Sequence, residues 1–161
     1  MKRPNGSPRR SDGVGLVNAR RRWMSVLAQA PVGEVEAHWR AVADQPAYRM
    51  LRWPETGLVM VRGRAGGTGT RFNLGEMTVT RCAVQLQGGA VGVAYVRGRD
   101  RRHAELVALF DALLQDPKRR EALDRAVVMP LAAAQAARRR AGAERVASSR
   151  VEFFTMVRGE D

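Results

Sequence analysis

The segment Gly63-Arg64-Ala65-Gly66-Gly67-Thr68-Gly69-Thr70-Arg71 combines the two residue types best suited to holding an anion. Glycines let backbone N–H groups approach a phosphate closely, and flanking arginines complement its charge. It is not a Walker A loop, because no Gly-Lys-Ser/Thr follows. It is not a dinucleotide fingerprint either, because Phe72 stands where a third glycine would be needed. Two readings stay open, a structural hairpin loop and a phosphate cradle formed by Gly66, Gly67, Thr68, Gly69 and Arg71. A second candidate is Gly98-Arg99-Asp100-Arg101-Arg102-His103, where a strand meets a helix. A helix start offers unpaired N–H groups and a positive dipole end, so Arg99 and the first turn would suit an anion. His103 lies in line with Val107 and Phe110, which favours a packed structural histidine over an acid or base.

Other constellations are incomplete. With His38 and His103 as its two histidines and Cys82 as its single cysteine, the chain offers no ligand set for a metal site, and none is expected. His38 lies off the apolar stripe of its helix and reads as a solvated surface residue. Cys82 alternates with Thr80 and Val84 and reads as a small core residue. No Gly-x-Ser-x-Gly elbow occurs. Glu55 and Glu76 flank the glycine segment, and a pair meeting across a hairpin would suit general acid–base work. These residues support an anion-facing surface without a complete active site.

The elements that position them follow from periodicity. Helices are predicted over about 18–30, with Trp23, Val26, Leu27 and Ala30 on one face, and over 32–43, with Val35, Trp39 and Val42. The period then changes to that of strands over 48–53, 57–64, 77–86 and 90–96, and Gln87-Gly88-Gly89 signals a tight hairpin. Asp100 is a good N-cap for a helix over 104–115, with Val107, Phe110 and Leu114 inward. A helix, or a pair broken near Pro130, is predicted over 118–147. A returning strand over 151–157 closes the chain; it is apolar on both faces, which makes Phe153, Phe154 and Met156 candidates for a partner interface. The fold class expected is α+β: N-terminal helices, an antiparallel sheet, C-terminal helices and a C-terminal strand.

Composition bounds the function. The chain has 161 residues and a net charge of +12 at pH 7, and of its 28 basic residues only Lys2 and Lys118 are lysine. Residues 1–22 carry seven basic groups against Asp12, together with Pro4, Gly6 and Pro8, so 1–21 is expected to be a disordered basic tail preceding a single domain over 22–161. That distribution weakens a reading as a stand-alone nucleic-acid-binding protein, as does an aromatic content of 6% scattered onto helix faces. No apolar run suits a membrane span or a signal peptide, so a cytoplasmic location is expected.

The order of motifs carries more. Arg22-Trp23-Met24, Glu55-Thr56-Gly57-Leu58, Gly66-Gly67-Thr68-Gly69, Phe72-Asn73-Leu74-Gly75-Glu76 and Thr78-Val79-Thr80-Arg81 follow one another. Tyr95-Val96-Arg97-Gly98-Arg99-Asp100 with His103-Ala104-Glu105 comes next, and Ser149-Arg150-Val151-Glu152-Phe153-Phe154-Thr155-Met156-Val157-Arg158-Gly159 ends the series. From about Arg22 to the C-terminus this closely resembles the phosphonate-metabolism family PhnG. The resemblance implies a subunit of the bacterial carbon–phosphorus lyase core complex, with other kinds of subunit as partners. It implies ATP as a substrate of that complex and no cofactor bound by this chain alone. In the implied reaction a phosphonate displaces adenine from C1′ of ATP, and the subunit is required together with a partner that carries the nucleosidase chemistry.

Overall fold

The computed structural model describes residues 10–148. In chain order these form helices α1 (Arg10–Gln29) and α2 (Val32–Arg40), strands β1 (Tyr48–Arg64), β2 (Arg71–Leu86) and β3 (Val91–Arg97), and helices α3 (Arg101–Leu114), α4 (Pro117–Leu123) and α5 (Met129–Ser148). The fold class is α+β, with one antiparallel sheet in the order β1-β2-β3. The returning strand expected over 151–157, with Phe153, Phe154 and Met156, lies outside the described residues.

α3 runs through the centre. From His103 to Leu114 only Glu105 is not fully buried, because one side of the helix packs on the sheet and the other on α1 and α2. Trp23, Val26, Leu27, Val35 and Trp39 supply the helical layer; Cys82, Val84, Ala94 and Val96 supply the sheet layer. Trp39 meets Phe110 edge-on, with ring centroids 5.5 Å apart. The approach of α3 to β3 depends on Gly92, where a Cβ would stand 1.8 Å from the Ala108 carbonyl oxygen. Among the described residues no helix packs on the opposite face of the sheet, where Tyr95 is 54% exposed.

Asp111 holds the layers together. Fully buried on α3, its carboxylate accepts from Arg20 Nε at 3.0 Å and Nη2 at 2.6 Å, from Trp23 Nε1 at 3.0 Å, and from the Val93 N–H at 3.0 Å. Four donors from α1 and β3 therefore converge on one acceptor, which is what makes a buried carboxylate tolerable.

Several boundaries differ from those the sequence predicts, for physical reasons. α1 begins at Arg10 rather than near Asn18, so the disordered tail expected over 1–21 is helical over 10–21, where Leu16 and Ala19 pack on the core and Arg20 binds Asp111. The two strands expected on either side of Pro54 are one strand. Among the described strands β1 lies at the edge of the sheet, and Pro54, without an N–H, falls where its pairing with β2 is irregular, between Arg52 and Glu55. β2 begins at Arg71 rather than Met77, which places Arg71 in a strand, while Gly63 and Arg64 lie in β1 as expected. Before Pro130, whose ring lacks the N–H to bond Ala126, the helix widens: Met129 N–H reaches back to the Asp124 carbonyl, a π-helical turn over Asp124–Val128 that lets α5 continue.

Candidate functional site

The β3–α3 junction is built from the residues upward. Gly98 adopts φ of 93°, a left-handed conformation that turns the strand into the helix. Its N–H donates to the Thr78 carbonyl at 2.9 Å, and its carbonyl accepts from Thr80 Oγ1 at 2.8 Å. Asp100 caps α3 by accepting from the His103 N–H at 2.8 Å, so part of the helix start is already satisfied by an internal carboxylate. Arg102 is engaged by Glu36 and Glu105. Arg99 and Arg101 are exposed and have no ion-pair partner among the described residues, and Arg97 is exposed at the same end of β3. What this junction can do chemically is present guanidinium groups to an anion, in the planar geometry that phosphate oxygens accept.

His103 is placed differently. The residue is 7% exposed and its Nε2 stands 2.9 Å from the Leu27 carbonyl oxygen, which makes Nε2 the proton-bearing nitrogen. It ties the start of α3 to the end of α1 and does not face solvent beside Arg99. Cys82 is buried, and burial pushes its thiol up to about 11, well away from a nucleophile's range.

The glycine segment lies elsewhere. Gly66 and Gly67 have φ of 58° and 80° in the turn Ala65–Gly67 that caps the β1–β2 hairpin, and Arg64 donates to the Gly69 carbonyl across it. Thr68 and Gly69 complete the turn before Arg71 enters β2. The positive φ values account for two of these glycines without a ligand. Six residues of β2 stand between Arg71 and Thr78, the contact of Gly98, so at the usual strand rise the turn stands roughly 20 Å from the β3–α3 junction. The structure therefore does not bring the two candidate anion loci together. Nor does it pair Glu55 with Glu76. The register sets Glu55 opposite Arg81 and Glu76 opposite Met60, and the Glu55 carboxylate, bound by Arg52 and Arg81, is held below the usual carboxylate range by those two guanidinium groups. Among the described residues no group of His, Cys, Asp and Glu is placed to hold a metal ion.

Comparison with known proteins decides the family. A family model described as "Phosphonate metabolism protein PhnG" matches residues 18–159. The chain is also similar to a protein of Rhizobium meliloti (strain 1021) described as "Alpha-D-ribose 1-methylphosphonate 5-triphosphate synthase subunit PhnG", with 48% identity over 151 residues that cover 94% of this chain and 96% of the relative. The chain belongs to the PhnG family. The match takes in the β3–α3 junction, the glycine turn and both strands of the long hairpin. It also extends through α5 to Gly159, past the last described residue.

Two residues that shape this region are not singled out by the sequence pattern. Asp111 was hidden as an acidic residue inside the apolar run Val107–Leu114, where its own oddity was the available signal. Arg97 was hidden by its place as the last residue of a strand, although alternation from Tyr95 puts both on the face without helices.

Proposed function

We propose that this chain is a required subunit of an α-D-ribose 1-methylphosphonate 5-triphosphate synthase, the carbon–phosphorus lyase core assembly, acting in the cytoplasm with other subunits. In that reaction the C1′–N9 bond of ATP breaks and a C1′–O bond to the phosphonate forms, with adenine leaving as it takes up a proton. The observation that carries the reading is the 48% identity to a synthase subunit across nearly the whole of both chains. ATP is the substrate of the assembly, and this chain binds no cofactor of its own.

The inventory of side chains fits a positioning role. The displacement needs the triphosphate held and its charge neutralised while the sugar centre becomes electron-poor. Arg99, exposed beside Arg97 and Arg101, is the group of this chain suited to a phosphate oxygen, whereas His103 and Cys82 are occupied or buried. The proton and leaving-group chemistry falls to a partner subunit. Removal of the gene from its native host tests the reading: growth on methylphosphonate as sole phosphorus source should stop, continue on inorganic phosphate, and return with the intact gene. Unimpaired growth on methylphosphonate would refute it.

A further inference from the structure

β3 pairs with β2 only from Val79 to Gln85, whereas β1 and β2 stay paired out to Arg64 and Arg71. Residues 58–78 therefore project beyond the third strand as a two-stranded arm. Along β1 the alternation puts Leu58 and Met60 on the side that the helices cover further down, and they are 63% and 52% exposed. Val59, Val61 and Gly63 face the other way. There Met77 pairs with Val59, Phe72 pairs with Gly63, and Leu74, at an irregularity of β2, lies over Gly63 while still 61% exposed. A two-stranded ribbon alone is marginal in water, and one with large apolar groups on both faces is a surface made to be covered.

We propose that this arm is the element by which the chain grips another subunit of the synthase, entering a groove with an apolar floor and a carboxylate-lined rim. The proposal rests on the synthase reading above and names the surface and chemistry of the partner. Charge selects the occupant. Between 58 and 78 the arm carries Arg62, Arg64 and Arg71 against the single carboxylate of Glu76, and Arg62 and Arg71 have no ion-pair partner among the described residues. A second copy of this chain, with net charge +12, would set like guanidinium groups against one another; an acidic subunit would neutralise them. Among the described residues no strand pairs with the outer edge of β1 or with β2 over 71–78 beyond the end of β3, which leaves N–H and C=O groups there for a strand of the partner.

The test co-expresses the full chain with the remaining synthase subunits and measures assembly by co-purification and light scattering. A variant with Leu58, Met60, Phe72 and Leu74 all changed to Ser should keep the wild-type melting temperature, since none of the four belongs to the buried core, and should assemble roughly a hundredfold or more weakly. An independent variant, R62E with R71E, leaves the apolar faces intact and should assemble at least about tenfold more weakly, with wild-type affinity falling as salt rises. Wild-type assembly by either variant would overturn the proposal, as would an isolated chain that dimerises through the arm. A wild-type chain that joins none of the other subunits would overturn the synthase reading and this one with it; a wild-type complex unaffected by the variants would overturn this one alone.

Discussion

Replacing Asp111 by alanine should destabilise the domain more than removing any other single polar group. The carboxylate is fully buried and accepts from the Trp23 indole, the Val93 amide and the Arg20 guanidinium. Without it the Trp23 N–H, in a residue 1% exposed, and the Val93 N–H lose their acceptor, at about 1–3 kcal/mol each. Arg20 is 40% exposed and can turn to water, so its lost ion pair adds little. The sum is about 3–5 kcal/mol, in line with breaking one side of a buried pair. For a domain of this size it should lower the melting temperature by roughly 10 °C. Urea and thermal melts of D111A, D111N and R20A measure this. D111N should fall between wild type and D111A, because its amide keeps one acceptor oxygen, and R20A should lose about 1 kcal/mol or less. A D111A variant within about 1 kcal/mol of wild type would refute the view that this carboxylate ties α1, β3 and α3 together.

Three further outcomes follow from the same structure. Gly92→Ala should destabilise by about 3 kcal/mol or yield insoluble protein, because its Cβ would collide with the Ala108 carbonyl; a soluble variant with an unchanged melt would show that α3 can move off β3 freely. The Cys82 thiol, buried and pushed up to about 11, is overwhelmingly protonated at pH 8, so Ellman's reagent should label it in urea and hardly at all in the folded chain, with the native rate climbing toward pH 10; fast labelling at pH 8 would contradict that. In the assembled synthase Arg99→Ala should reduce kcat/KM for ATP by about tenfold to a hundredfold while the complex stays whole, whereas His103→Ala should appear as a lower melting temperature; normal kinetics for Arg99→Ala would leave this junction without a part in substrate binding.

The elements governed by local patterns were legible in the sequence. The stripes Trp23-Val26-Leu27-Ala30 and Val35-Trp39 are buried, Asp100 caps α3, and Gly89 with φ of 89° turns the β2–β3 hairpin. What escaped depends on partners distant in sequence. Pro54 reads as a break unless β1 is known to be an edge strand with irregular pairing, and residues 10–21 read as a tail unless Asp111 is known to await Arg20. The family was legible in the order of motifs. The separation of the glycine turn from Arg99 was not, because it depends on how far β1 and β2 remain paired beyond β3.

The most direct test of the central claim is adenine release from ATP with methylphosphonate present, measured with the purified synthase subunits supplied with or without this chain. Omission should abolish release, and adding back the purified chain should restore it in proportion to the complex formed. Full adenine release and full yield of the ribose 1-phosphonate product without this chain would contradict it.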